Sequence, residues 1–338
     1  MTTQPNARPT FRFLSLGAGV QSSALLLLAA RGRIRGFDAA IFADTGWEPL
    51  AVYRHLHRLT RIAEAAGIPV VRVSRGHIRR DALDPAHRFA SMPLFTLGPA
   101  GERGMARRQC TSEYKIRPIK AEVRRRLGYP HPRRVPAWVV AEMAIGISVD
   151  EVMRARDSDV RYMRNTFPLL DLGWRRDDCV AFLTAHGLGD TPKSSCVGCP
   201  FHDDGFWADL KANHPLEWAD AVAFDKAIRN GSARANADGH PLRGSFYLHP
   251  SRVPLDQAVL RPRSRRVDGP GCGPWTCPHT PPVDTGDAGD IQPTASPAAT
   301  DAADRPVVAP SSPVPAHTSA PTPAPAPVPA GAVRREVA

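Results

Sequence analysis

Phe13-Leu-Ser-Leu-Gly17-Ala-Gly19-Val-Gln-Ser22-Ser23 decides how the rest of this chain is read. An apolar run ends in a glycine turn, and a helical pattern from Val20 to Arg31 begins directly on it. This is the build of a phosphate cradle, in which N–H groups of the turn and of the first helical turn face outward and the helix dipole favours negative charge. Two readings of the turn stand side by side. Gly-x-Gly-x-x-Ser with Asp44 closing the next strand is a degraded dinucleotide fingerprint. Alternatively, the glycines and the Ser22 and Ser23 hydroxyls hold the phosphates of an adenylyl nucleotide. A Walker A loop is excluded, because no Gly-Lys-Ser/Thr follows.

Outward from this turn, Phe11 to Leu16 reads as a buried strand and Ala39 to Ala43 as a second, ending at Asp44-Thr45-Gly46. Pro49 to Ala66 has helical periodicity, and Pro69 to Val73 is a third strand. Such alternation predicts an α/β fold, a Rossmann-like parallel sheet with helices on both faces. Glu113 to Arg126 reads as a helix basic on one side, and Ala137 to Gly146 as a fourth strand region. Asp177 to His186 and Asp203 to Arg229 are further helical stretches, with a short closing segment from Leu242 to Leu255. Ligands of open parallel sheets sit beyond the strands' carboxyl ends, at the switch point. Gly17 to Ser22, Asp44 to Gly46 and Gly146 to Ser148 are expected to meet there.

Bulk properties bound the answer. The 338 residues divide into a flexible N-terminus (1–10), a nucleotide-binding α/β domain (11–160), a small helical subdomain (161–262) and a disordered Pro/Ala-rich tail (263–338). From Pro278 onward Pro, Ala, Thr, Ser and Asp dominate, a composition that cannot bury enough apolar area to offset ordering entropy. From there on six acids face three arginines, so the body carries about +14 against +11 for the whole chain. Much of it falls between Arg103 and Arg134, which reads either as a solvated helix face or as a surface for a phosphate-rich partner, nucleotide or nucleic acid. No secretory signal or membrane span is visible, and six irregularly spaced cysteines do not form a secreted disulfide framework. A cytoplasmic protein with no membrane partner is expected.

Chemistry concentrates in two segments, Arg108-Gln-Cys110-Thr-Ser-Glu-Tyr-Lys115 and Ser195-Cys196-Val-Gly-Cys199-Pro-Phe-His202. Cys-x-x-Cys presents two thiolates from one turn of backbone, and Cys110 would deliver a third. As structural zinc the set needs a fourth ligand, with His202 the nearest. As a cluster site, three thiolates hold a [4Fe–4S] centre with one iron open. Arg107, Arg108 and Lys115 beside Cys110 read as counter-charge to thiolate or phosphate. Cys179, at an apolar helical position, reads as core, and Cys272 and Cys277 as flexible thiols or a mobile nucleophile or fourth ligand. His249 and Arg252 are weaker candidates, ordinary polar residues of the closing segment.

Five motifs in order resemble the phosphoadenylylsulfate (PAPS) reductase-like branch of the adenine-nucleotide α-hydrolase (PP-loop) superfamily. They are Gly17 to Ser22, Asp44-Thr45-Gly46, Cys110 with Lys115 and Pro118, Gly146-Ile-Ser-Val-Asp150-Glu151, and Pro168-Leu-Leu-Asp171-Leu-Gly-Trp174. Gly17, Ala18 and Gln21 replace the loop's usual Ser, Gly and Asp, and Ser148 stands where an arginine is usual. The resemblance implies ATP or PAPS held by Gly17, Ala18, Gly19, Gln21, Ser22, Ser23, Asp44, Thr45, Gly46 and Gly146, with magnesium in doubt because the loop's Asp is missing. It implies catalytic roles for Lys115, Arg108 and Asp150, and a [4Fe–4S] centre, or zinc, on Cys110, Cys196 and Cys199. The favoured activity is ATP-dependent sulfur transfer to an acceptor activated by adenylation, with a sulfur donor and with tRNA or DNA as acceptor. One alternative is reduction of PAPS or adenylylsulfate to sulfite with a thioredoxin-like reductant, although the Glu-Cys-Gly-Leu-His of that branch is absent. Another is a non-catalytic, zinc-stabilised nucleotide or nucleic-acid binding module.

Overall fold

The structure, a computed structural model, describes residues 11–87, 92–231 and 244–261. The expected flexible N-terminus, the tail from 263, Cys272 and Cys277 lie outside the described residues. Among those described, the strands are β1 (Phe11–Ser15), β2 (Ala39–Asp44), β3 (Val70–Ser74), β4 (Phe95–Leu97), β5 (Arg103–Met105), β6 (Ala141–Ala144), β7 (Met163–Thr166) and β8 (Ser245–Tyr247). The helices are α1 (Val20–Ala30), α2 (Leu50–Ala65), α3 (Ile78–Leu83), α4 (Arg117–Arg126), α5 (Pro168–Asp171), α6 (Arg176–Ala185), α7 (Asp204–Asn213) and α8 (Pro215–Ala227).

Five strands pair in parallel in the order β3-β2-β1-β6-β7. The chain winds one way from β1 and then returns to its other side, so the switch point lies between β1 and β6. Successive side chains in these buried strands feed opposite cores. Leu14, Phe42 and Ala144 pack with α1, α2 and α6, whereas Phe13, Ile41 and Met143 pack with Ile119 and Val123 of α4. Helices therefore cover both faces, as the alternation predicts. α1 is apolar nearly all round, Leu25 to Leu28 being buried. At about 1.5–3 kcal/mol per fully buried leucine, these four anchor the helix whose N-terminus carries the glycine turn.

The α/β layer runs past position 160, which corrects the expected domain boundary. β7 completes the parallel sheet, and α6 packs on α1 with Cys179, Phe182 and Leu183 in the same core. The remaining part is not purely helical either: β5, β4 and β8 form a three-stranded antiparallel sheet. It shares a core with α7 and α8, built on Trp207, Phe224, Phe246 and Leu248. Asp225 is fully buried there and accepts bonds from the Leu248 and Leu255 N–H groups, 2.8 and 3.0 Å, while pairing with Arg229. Among the described residues no helix is long and apolar enough to cross a membrane.

Candidate active site

The glycine turn closes on itself before it meets any ligand. Gly17 N–H donates to Ser22 Oγ at 3.2 Å, and the Ser22 hydroxyl donates to Gly19 O at 3.2 Å. Ala18 lies in the left-handed region, φ 55°, at the position where the resembling loops carry glycine, so here a Cβ is accommodated at some strain. Gly146 after β6 meets the turn so closely that a Cβ would stand 2.8 Å from Ser22 N. The loops after β1 and β6 therefore meet at the switch point.

Three residues of the expected phosphate set face elsewhere. Ser23 is fully buried, and its hydroxyl bonds His55 Nε2 at 3.0 Å, because one helical step turns it from the cradle into the core. Asp44 accepts from Gly46 N–H and Tyr53 OH, both at 2.8 Å, and from Arg72 Nε at 2.6 Å, so its carboxylate fixes the loop after β2. Gln21 is buried and bridges two elements. Its Nε2 donates to Glu151 at 3.2 Å and its Oε1 accepts from Arg176 Nη1 at 3.0 Å.

Beyond β2 the chain builds a second centre. Thr45 Oγ1 donates to Glu48 Oε1 at 3.1 Å and lies 3.2 Å from Cys196 Sγ. Glu48 is also 3.8 Å from Lys115 Nζ in a pair with almost no exposure on either side chain. Thr45, Arg108, Cys110, Lys115, Cys196 and Cys199 line one cavity, closed by Met92 and Phe201. A π-helical turn, Thr111–Ile116, leads from Cys110 to Lys115, and its wide i→i+5 winding lets both reach the same cavity. The Arg108 guanidinium sits 5.0 Å over the Phe201 ring. Arg107, by contrast, is exposed and not part of the lining.

The Cys-x-x-Cys turn is held from three sides. Val197 N–H donates to Trp47 O at 2.8 Å, and a Cβ on Gly198 would run into the Trp47 ring, so this position has room only for glycine. Trp47 is itself fixed by Asp220, 2.7 Å from its indole N–H. His202 Nε2 pairs with Cys196 O at 2.8 Å, and its ring stacks on Phe206, centroids 3.3 Å apart. Its Nδ1 is buried with no hydrogen-bond partner among the described residues, and His202 is not among the residues lining the cavity of the three cysteines. Burial also holds the His202 pKa well below its usual value, so the ring is neutral.

Ser194 joins the two centres. Its hydroxyl donates to Gly17 O, and its Cβ would touch a Cβ on Gly19 at 3.2 Å. Two residues further on, Cys196 lines the thiol cavity. Burial pushes the Cys196 thiol up, Glu48 adds to the shift, and Lys115 opposes it. Asp150 does not join the cavity. Its Oδ1 accepts from Arg176 N–H at 2.9 Å, and although burial raises its pKa, bonds from Ser148 and Arg176 hold the carboxyl below the usual range. His249 bonds Asp204 at 3.0 Å and Ser251 at 2.6 Å, and Arg252 donates to Thr96 O at 2.9 Å, so both brace the closing segment. Cys179 is core as expected, its thiol pushed up to about 12 by burial.

Sequence reasoning missed Glu48, Trp47 and Ser194. An acid and a tryptophan directly after Asp-Thr-Gly were a visible signal; nothing local marked Ser194. No family model and no curated protein matches this sequence. Among solved structures it is similar to phosphoadenylyl-sulfate (PAPS) reductase from Candida auris in its phosphate complex, at 14% identity and a TM-score of 0.31, covering 57% of this chain and 76% of that chain.

Proposed function

We propose that this chain is a PAPS reductase-like enzyme that binds an adenylyl nucleotide, ATP in the favoured reading, at the glycine turn and performs sulfur transfer at the adjoining thiol cavity. The observation that carries the reading is the span Ser194–Cys196, which touches the turn at one end and the cavity at the other. A nucleotide bound at one is thereby within reach of chemistry at the other.

The chain's own groups divide the work. N–H groups of the glycine turn and of the first turn of α1 are the phosphate donors, favoured by the helix dipole. Arg108 and Lys115 supply positive charge where phosphate or thiolate charge develops. Lys115 also favours the thiolate of Cys196, Thr45 orients that sulfur, and apolar Met92 and Phe201 exclude water.

The donor set is compatible in kind with a [4Fe–4S] centre: Cys110, Cys196 and Cys199 line one cavity with Arg108 and Lys115. As the side chains stand, no three His, Cys, Asp or Glu among the described residues converge as a metal site, and the cavity holds about 20 Å³. Loading therefore requires the apolar lining to part and Cys196 to lose its proton. Bound there, such a centre would supply an open iron site for sulfide. Nucleic acid is the proposed acceptor class. Arg133, Arg134 and Arg161 are exposed and meet no carboxylate among the described residues, near a Trp138 that is 73% exposed. They lie at the amino ends of β6 and β7, so they support docking rather than catalysis.

Anaerobic purification followed by iron, sulfide and zinc analysis tests the reading. About four irons per chain, lost in Cys196→Ser, is the expected result. One zinc and no iron would favour the binding module instead.

A further inference from the structure

A second cluster of reactive side chains, none of them lining the thiol cavity, lies at the closing segment after β8. His249 is buried, and its two ring nitrogens meet different partners. Nε2 lies 3.0 Å from Asp204 Oδ1, and Nδ1 lies 2.6 Å from Ser251 Oγ. The backbone fixes which nitrogen carries the proton. Ser251 N–H donates to Nδ1 at 3.2 Å, and an N–H group can only donate, so Nδ1 presents its lone pair. The neutral ring then carries its proton on Nε2 and donates it to Asp204, while the Ser251 hydroxyl donates to Nδ1.

A hydroxyl, a base that accepts its proton and a carboxylate that orients the base are the parts of an activated nucleophile. Further contacts hold them in place. The second oxygen of Asp204 accepts from Arg261 N–H at 3.1 Å. The turn bearing Ser251 continues into Arg252 at φ 59°, in the left-handed region. The Arg252 guanidinium clamps that turn by donating to Thr96 O, Pro250 O and Gly104 O at 2.9, 2.8 and 3.1 Å. Ser251 itself is exposed, so a reagent reaches its hydroxyl from solvent while the base behind it stays buried.

We infer that Ser251 is a nucleophile that takes an acyl group from an activated ester, with His249 as its general base and Asp204 as the positioning residue. Ser251 Oγ bonds to the ester carbonyl carbon as its proton passes to Nδ1; the bond to the leaving oxygen then breaks, and the alcohol departs with that proton. The geometry also sets the substrate class. The N–H groups of Ser251 and Arg252 already donate to His249 Nδ1 and His249 O, so neither serves as an oxyanion donor. Esters with good leaving groups, such as aryl esters, are therefore the class that reacts. The inference does not depend on the nucleotide reading.

Acetylation of the full chain by p-nitrophenyl acetate, mapped by mass spectrometry, tests it. Ser251 should be acetylated about a hundredfold faster in the folded chain than in the chain unfolded in urea, the scale of general-base assistance. His249→Gln should remove that advantage. Asp204→Asn offers an N–H to Nε2 and so favours the other tautomer; it should lose most of the advantage, and Asp204→Glu should recover part of it. Circular dichroism checks that each variant is folded, and the comparison of folded with unfolded wild type decides without any variant. Acetyl groups on lysines alone, or Ser251 acetylated no faster in the folded chain, would overturn the inference. So would an unchanged rate in folded His249→Gln.

Discussion

The hydroxyl of Thr45 lies 3.2 Å from the sulfur of Cys196, which follows it by 151 positions in the chain. Thr45 directly follows β2 and Cys196 belongs to the Cys-x-x-Cys turn, so this contact is where the end of the parallel sheet meets the thiol cavity. Glu48 accepts from the same hydroxyl and faces Lys115, which makes the cavity wall a single buried polar network. Deleting one member of such a network costs more than a single contact contributes, because it leaves its partners buried and unsatisfied.

Lys115→Ala should therefore destabilise the fold by about 3 kcal/mol, because it removes the counter-charge 3.8 Å from the buried Glu48 carboxylate. Lys115→Met combined with Glu48→Gln should recover most of that loss but not activity. Urea unfolding of the single and double variants checks the first statement, and turnover the second. Full activity in the double variant would remove Lys115 from the catalytic groups.

Gly146→Ala should cost about 1–3 kcal/mol, since its Cβ would press on backbone at Ser22 that cannot step aside cheaply. Gly198→Ala should instead displace Trp47, so its signature is a changed tryptophan emission with altered thiol reactivity. An unchanged spectrum and unchanged alkylation would contradict the packing described.

Stability should fall as the pH drops below neutrality. Burial lowers the His55 pKa from 6.5 to about 4, so the unfolded chain binds a proton that the folded chain refuses between those values. The stabilisation is complete above pH 6.5 and is lost as pH falls toward 4, about 3 kcal/mol in all. His202 shifts in the same direction, so His55→Gln should flatten the slope without abolishing it. Thermal melts at stepped pH check this; a slope unchanged by His55→Gln would count against it.

Much of this was legible in the sequence, for identifiable reasons. The glycine turn, Asp44-Thr45-Gly46 and the apolar strands carry strong local patterns, and the parallel sheet followed from their alternation. β4, β5 and β8 are three residues each, too short for any period to show. The inward turn of Ser23 depends on where the helix starts, and a one-residue change in that start moves a side chain by about 100°. Ser194 and Gly17 are 177 positions apart, and no local signal joins them. Asp150 carried the right motif but serves as an acceptor for the N-terminus of α6, a role the motif's spacing alone does not reveal.

Truncation after Arg266 separates sulfur transfer from sulfite formation. It removes Cys272 and Cys277 and leaves Cys110, Cys196 and Cys199 in place. Sulfur transfer should persist with the metal content unchanged. Loss of the metal would make Cys272 or Cys277 a ligand, and selective loss of sulfite formation from PAPS would favour the reductase alternative.

Binding of a labelled single-stranded oligonucleotide, followed by anisotropy, should weaken about tenfold in Trp138→Ala, the loss of one stacked base. It should weaken further, with a shallower salt dependence, in Arg133→Glu/Arg134→Glu. Wild-type affinity in these variants would discard nucleic acid as the partner of that face.

The proposed function requires the glycine turn and the thiol cavity to act as one site joined through Ser194. The most direct measurement is the alkylation rate of Cys110, Cys196 and Cys199, read by mass spectrometry with and without saturating ATP, with Gly19→Val as the uncoupled control. ATP should slow alkylation several-fold in the wild type, while Gly19→Val, which pushes Ser194 off the turn, should lose both ATP binding and the protection. Identical alkylation rates with ATP demonstrably bound would contradict the account.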